Sequence, residues 1–303
     1  MRKFLVDKDY INSRLDKWFK RKVYDAPQSF IEKNIRRGNI KVNKKKNKSS
    51  YRLQENDQIF ISDLKFVQNT NLKKKNNYKP NKKDLNFSSD FFITNNDNFV
   101  VINKPAGIAV QSGTKSRKNI LDILRYTKEF NNSSPFTVHR IDKETTGVLI
   151  VAKNRKYAQL FTSLFRLRKI HKTYLGIVIG EMKKQKGTLV DDLYYYEGDK
   201  KNKVKAVTHY KVLDSNKKYS LLKLSPETGR KHQIRKQLLI QSCPILGDNK
   251  YRISTIYKKK SDNLFLHAYK INFSINNIKY NYYAEPPIAF KKMLKEKYLK
   301  IFY

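Results

Sequence analysis

Val138-His139-Arg140-Ile141-Asp142-Lys143-Glu144-Thr145-Thr146-Gly147 runs straight into Val148-Leu149-Ile150-Val151-Ala152, so that a dense polar segment is followed at once by the most apolar one in the chain. A short, uninterrupted apolar run of this kind marks a strand covered on both faces. The polar segment before it then reads as a loop mounted on a rigid platform, where catalytic groups are commonly held. Its central carboxylate, Asp142, stands between Arg140 and Lys143. On the residues alone, Asp142 is equally well a solvated turn residue that caps a neighbour.

Working outward from this platform, Tyr157, Leu160, Phe161, Leu164 and Phe165 recur at helical spacing. Lys172, Tyr174, Gly176 and Val178 then alternate with Thr173, Leu175, Ile177 and Ile179. A strand there turns Tyr174 to the face opposite the second set, where it can line a cleft. Ala206 to Val212 and Leu221 to Leu224 read as further strands, and Thr228 is placed to cap a helix carrying His232, Ile234, Arg235, Leu238 and Leu239. The tail from Ile288 to Tyr303 reads as one amphipathic basic helix. Upstream, Phe99 to Ile102 is a buried strand running into the turn Asn103-Lys104-Pro105-Ala106-Gly107, and Ile120 to Tyr126 is helical. These pieces describe an α+β domain over residues 91–303.

A different pattern occupies residues 1–64. Ile11, Leu15, Trp18 and Phe19 follow helical spacing, as do Phe30, Ile31 and Ile35 after Pro27. Gly38 ends the second helix, and Ile40 to Asn43 and Gln58 to Ile61 read as short strands. Residues 65–90 between the two domains are rich in Asn and Lys, as in Leu72-Lys73-Lys74-Lys75-Asn76-Asn77, and are too polar to bury a core, so they read as a linker.

The 303 residues carry a formal net charge of +40. So large an excess calls for a polyanionic partner, with nucleic acid first and an acidic membrane surface or acidic protein behind it. Cys243 is the only cysteine, which excludes an internal disulfide and a cysteine-rich zinc site. No signal-like apolar run opens the chain, and nowhere are there about 18 consecutive apolar residues, so a cytoplasmic protein is expected. None of His139, His171, His209, His232 and His267 has the paired spacing of a metal site, and they are expected to be structural or RNA-facing. Phosphate-cradling, dinucleotide-binding and hydrolase-elbow motifs are missing.

The loop and strand quoted first resemble the H-R-L-D-x-x-T-S-G-V-L-V-x-A-K signature of the RluA-type pseudouridine synthases, with Ile141 for Leu and Thr146 for Ser. Lys172-Thr173-Tyr174-Leu175 is similar to that family's K-x-Y-L strand, and Gly229-Arg230-Lys231-His232-Gln233-Ile234-Arg235 to its G-R-x-H-Q-I-R helix. Asn103 to Gly107, Pro244-Ile245-Leu246-Gly247-Asp248 and Leu266-His267-Ala268 add shorter matches. Ser13-Arg14-Leu15-Asp16 and Ile35 to Asn43 resemble the alpha-L type of RNA-binding domain. That module departs from its pattern at Glu55-Asn56-Asp57, where Gly commonly precedes Asp. The pairing of the two domains, and the Val110-Gln111-Ser112-Gly113 turn, lean toward the large-ribosomal-subunit members of the family.

The resemblance implies an α+β catalytic domain with a mixed, largely antiparallel sheet flanked by helices, behind a small alpha-L RNA-binding domain. It implies an RNA pseudouridine synthase that acts, without cofactor or metal and as a monomer, on large-subunit ribosomal RNA. The reaction breaks the bond from ribose to N1, turns the base and rejoins it through C5. A carboxylate serves as nucleophile at the anomeric carbon or as base on the sugar. By the resemblance, Asp142 takes that role, Arg235 pairs with it and Tyr174 stacks on the uracil and helps remove the C5 proton. A guanidinium favours the ionised carboxylate and orients it through a forked hydrogen bond. Arg140 is expected to fill the space of the extruded base or hold a flanking phosphate. Lys172, His139, Arg36, Arg37 and Lys41 complete the expected RNA contacts. A non-catalytic RNA-binding or ribosome-assembly protein is the alternative, predicting binding without modification.

Overall fold

The computed structural model describes residues 1–7, 10–62, 78–86, 91–112, 118–197, 200–253, 261 and 263–300. Two compact units divide the chain, residues 1–76 and 77–303.

The first unit runs β1 (Arg2–Leu5), α1 (Leu15–Lys22), α2 (Gln28–Arg37), β2 (Ile40–Val42) and β3 (Gln58–Ile61). Strand β3 lies between β1 and β2 and is antiparallel to both. The helical spacing of the apolar residues is explained by their destination: Leu15, Trp18 and Phe19 of α1 and Ile31 and Ile35 of α2 share one core with Ile40, Leu53 and Ile59. Helix α2 stops where Gly38 takes φ +80°, its N–H turning back to the carbonyls of Asn34 and Ile35. At the departure from the family pattern, Asn56 adopts φ +67°, a region Asn tolerates best after Gly. The turn is closed by the buried Asp57, whose carboxylate accepts from the Gln54 N–H at 2.8 Å and the Asn43 amide at 2.7 Å. Strand β1 precedes the segment that periodicity marks out.

In the second unit come α3 (Lys82–Leu85), β4 (Phe92–Asn95), β5 (Phe99–Lys104), α4 (Ile120–Leu124), β6 (Phe136–Thr137), β7 (Thr146–Ala152), α5 (Arg155–Arg166), β8 (His171–Ile179), β9 (Lys186–Glu197), β10 (Lys200–Asn216), β11 (Tyr219–Pro226), α6 (Gln233–Ile240), β12 (Leu266–Ile275), β13 (Ile278–Tyr283) and α7 (Ile288–Glu296). Their sheet has the order β4-β5-β7-β12-β8-β11-β10-β9, with β6 on β7 and β13 on β12. Among the described residues the pairing is antiparallel except where β7 runs parallel to β12, matching Thr146 with His267 and Gly147 with Ala268. The sheet is thus mixed and largely antiparallel, as expected.

Strand β7 is buried at every position. Val148, Ile150 and Ala152 pack on one face with Phe161 of α5, while Leu149 and Val151 pack on the other with Ile120 and Leu124 of α4. Two-sided burial is why the run is continuously apolar, and each large side chain so covered contributes about 1.5–3 kcal/mol. Gly147, the second residue of the strand, sits at φ +107°, and a Cβ there would stand 2.2 Å from the Ala268 carbonyl oxygen. Only glycine lets the end of the Asp142 loop meet β12 so closely.

Three expectations change. The linker reading takes in residues 78–86, yet these fold on the second unit: the Tyr78 N–H donates to the Asp122 carboxylate at 3.2 Å, Asn81 caps α3, and Lys118 pairs with Asp84. The lysine-rich residues 72–77 lie outside the described residues, as does Gly113. Thr228 does not cap α6, because its hydroxyl is engaged by the Gln233 amide oxygen at 2.7 Å and the Val207 N–H at 2.9 Å. Helix α7 ends at Glu296, since Tyr298 turns to φ +53°. Among the described residues no helix is long and apolar enough to cross a membrane.

Candidate active site

The loop between β6 and β7 carries Asp142 and is fastened from beneath. At the end of β5, the fully buried Lys104 ammonium donates to the carbonyls of Pro105 at 2.7 Å, Ile108 at 3.0 Å and Lys143 at 3.0 Å. Burial pulls its pKa down to about 7, against the nearby carboxylates of Glu144 and Asp142. Gly107 N–H also donates to the Lys143 carbonyl, and Thr145 N–H to that of Asp142. A buried amine wrapped in carbonyls therefore ties the β5 turn to the residue next to Asp142.

Arg235, in the first turn of α6, reaches Asp142 from the opposite side, with Nη1 3.1 Å from Oδ2. The forked bond expected on Asp142 is made instead to Asp248, through Nε at 2.6 Å and Nη2 at 2.7 Å. Burial by itself pushes the Asp248 carboxyl up, but Arg235 and the backbone N–H groups of Tyr251 and Lys250 hold it below its ordinary range. Both partners are almost fully enclosed. The fork fixes the guanidinium in place and leaves one nitrogen aimed at Asp142. Asp248 appears in the sequence only as the end of a short match, with no periodicity linking it to Arg235.

Tyr174 stands in the middle of β8, paired with Leu224 of β11 and Ala268 of β12. Burial first, and then the charge of Asp142, push its phenol above the ordinary range, so it is protonated. Asp142, Arg235 and Tyr174 line one cavity of about 520 Å³, together with Arg140, His139, Lys172 and His232. That volume is in the range that takes a small ligand.

The other expected residues divide. Arg140 is exposed at the cavity. Lys172 stands 3.5 Å from the Thr228 carbonyl, its pKa lowered by burial and by Arg168. His139 is stacked on Phe165 at 4.5 Å, and its Nε2 accepts from the Ile150 N–H at 2.9 Å. Burial and Lys172 pull it down to about 3, so it is neutral and braces β7 through Nε2. Arg36 and Arg37 are exposed at the end of α2, and Lys41 is half-buried on β2, all in the first unit. His267 is also structural: Nδ1 lies 2.8 Å from the Thr146 hydroxyl and Nε2 2.8 Å from the Ala284 carbonyl. Burial pulls it down to about 4.

Lys104, Asp248 and Tyr251 carry weight here that the sequence reading did not assign. A lysine before Pro-Ala-Gly was the available signal for the first. Among the described residues, no group of three or more His, Cys, Asp or Glu side chains is arranged to hold a metal ion. What the arrangement offers is a carboxylate with one guanidinium partner, a protonated phenol and a ring-sized space.

Residues 98–239 match the RNA pseudouridylate synthase family, and residues 13–59 match the S4 domain. Ribosomal large subunit pseudouridine synthase C of Rickettsia conorii is 36% identical over 279 residues, covering 87% of this chain and 90% of that protein. The protein of the same name from Buchnera aphidicola subsp. Baizongia pistaciae is 33% identical, covering 95% of this chain and 94% of its own. Among solved structures, human RNA pseudouridylate synthase domain containing 4 superposes with a TM-score of 0.60 at 28% identity, over 69% of this chain and 94% of the other.

Proposed function

The chain belongs to the RNA pseudouridylate synthase family, and on that premise we propose that it isomerises uridines of large-subunit ribosomal RNA, with Asp142 as the reacting carboxylate. The chain is an RNA pseudouridine synthase, an isomerase. The observation that carries the residue assignment is the meeting of Asp142 and Arg235 at 3.1 Å in a cavity that Tyr174 also lines.

In this reading an extruded uridine enters with its ring against Tyr174, and Asp142 acts on the ribose. Arg235 holds the carboxylate turned inward, while Arg140 meets the flanking RNA. The protonated phenol of Tyr174 offers an aromatic face to the base. Arg36, Arg37 and Lys41 of the S4 module displace counterions from the RNA backbone and so supply capture rather than chemistry. The names of the relatives support large-subunit ribosomal RNA as the target, and a cytoplasmic site of action goes with it. We read the protein as acting as a monomer. We take residues 1–64 as the RNA-binding domain and the second unit, residues 78–86 included, as the catalytic domain.

Ribosomal RNA labelled with tritium at uridine C5 tests the proposal. Release of tritium with no change in RNA mass is expected. Binding without release supports a non-catalytic assembly protein, and a mass change supports base loss or strand cleavage.

A further inference from the structure

Two side chains at the start of α6 flank Asp142. Arg235 holds Oδ2, and Nε2 of His232 lies 3.8 Å from Oδ1. We infer that His232, oriented by Tyr251, is a positioning residue: its Nε2–H closes on Oδ1 when uridine enters and, with Arg235 on Oδ2, fixes the plane of the Asp142 carboxylate against the ribose. The inference rests on reading Asp142 as the reacting group.

The backbone of His232 is the first support. It sits at φ +53° and ψ +32°, in the left-handed region, as the N-cap of α6, and its side chain makes no capping bond. Ser, Thr, Asn or Asp would ordinarily occupy such a position and cap the helix. Here the imidazole lines the cavity instead. Backbone held in a disfavoured region gathers at functional sites, where the surroundings over-determine it.

Tyr251 is the second support. Its hydroxyl lies 3.0 Å from His232 Nδ1, and the two rings meet edge to face at 5.4 Å. Tyr251 is itself fixed, with its N–H donating to Asp248 at 2.9 Å and its ring 5.1 Å from the Arg235 guanidinium. Asp248 therefore organises both groups that flank Asp142: Arg235 directly, and His232 through Tyr251.

The proton inventory then follows. Burial, opposed by Asp142 and reinforced by Arg235, Lys250 and Lys231, holds the imidazole below its ordinary range and so neutral near pH 7. A neutral imidazole carries one N–H. The Asp142 carboxylate facing Nε2 can only accept, which favours the tautomer with its hydrogen on Nε2, and the Tyr251 hydroxyl then donates to Nδ1. A separation of 3.8 Å is too long for a direct bond, but catalytic hydrogen bonds in unliganded sites are commonly long and tighten with substrate.

Single-turnover tritium release from a large-subunit ribosomal RNA transcript, measured beside equilibrium binding of the same RNA, tests this. His232→Asn tolerates the left-handed backbone but falls short of Oδ1, and should slow turnover about tenfold while RNA affinity stays within about twofold. His232→Gln, which reaches as far as the imidazole, should recover part of the rate. Tyr251→Phe should cost about threefold alone and nothing more in the His232→Asn background. A His232→Asn rate within twofold of wild type, or a loss matched in binding, overturns the inference. If His232→Asn fails to fold, Tyr251→Phe decides: an unchanged rate overturns the inference. Asp142→Asn runs alongside. Turnover by that variant sinks the reading of Asp142 itself, whereas an inert Asp142→Asn beside a fully active His232→Asn sinks only the role of His232.

Discussion

The cations expected to meet RNA in the first unit and the charges around Asp142 in the second stand in contrasting surroundings. In the first, Arg36 and Arg37 stand exposed at the end of a helix, over a core of Leu15, Trp18, Phe19, Ile31 and Ile35. In the second, Lys104, Arg235 and Asp248 are turned inward and buried, each with named partners. Cations that displace counterions from a phosphate backbone work best wet and in number. Charges that hold a reacting group work when few, desolvated and fixed. On the proposed reading, one chain separates capture from chemistry by where it puts these charges.

Arg235→Met breaks the inward arrangement most severely. It strips the donor from Asp142 and leaves Asp248 buried without its partner, so turnover should fall about a thousandfold and stability by about 3–5 kcal/mol. Arg235→Lys should not rescue turnover, because an ammonium cannot span Asp248 with a fork and still reach Asp142. Rates within tenfold of wild type in either variant would break the comparison.

Gly147→Ala tests the platform rather than the charge. With φ +107° and the Ala268 carbonyl 2.2 Å from the new Cβ, the loop end must part from β12. Denaturant unfolding should show a loss of about 3 kcal/mol or more, with turnover falling alongside. An Ala variant as stable as wild type would place the rigidity of the Asp142 loop elsewhere.

Acid sharpens the contrast between the units. His267 titrates at about 4 when folded, below the ordinary 6.5, because burial disfavours its charged form. The unfolded chain therefore binds the proton first as pH falls. This contribution is intact above about pH 6.5 and is lost progressively down to about pH 4, amounting to about 3 kcal/mol. Thermal melts of wild type and His267→Gln should differ in their pH slope across that window. Parallel slopes would mean that His267 is not held neutral.

The smallest effect belongs to the exposed charges. Replacing Arg36 and Arg37 together by Ala should weaken RNA binding about tenfold at low salt and reduce the slope of log affinity against log salt by about 2. The melting temperature should stay unchanged. A fall in turnover at saturating RNA would mean that the first unit does more than capture.

Much of this was readable in advance wherever burial writes a period into the chain. Strand β7, covered by α4 and α5, shows it as an unbroken apolar run, and Gly38 announces the end of α2. Arg235 was legible because its helix carries a dense motif. The partner of its fork was not, since Asp248 is 13 positions away in a turn and only the folded sheet brings it near. Strand β1 escaped for a related reason, since its partner β3 is distant in the chain, whereas β12 and β13 are joined through Asn276-Asn277, both at positive φ, a local hairpin signal that was left unread. His139 shows a role that the sequence did not carry: a histidine beside Arg140 in a basic loop reads as an RNA contact, and the structure gives its Nε2 to the Ile150 N–H as well. His232 left one faint signal, three positions before Arg235 and so positioned to share its direction.

The most direct test of the account sets turnover against affinity for Asp142→Asn on the same ribosomal RNA. The account predicts no detectable pseudouridine in the product while RNA affinity stays within roughly tenfold of wild type, since one carboxylate adds little to the phosphate contacts. Pseudouridine formed by that variant at an appreciable rate would contradict it.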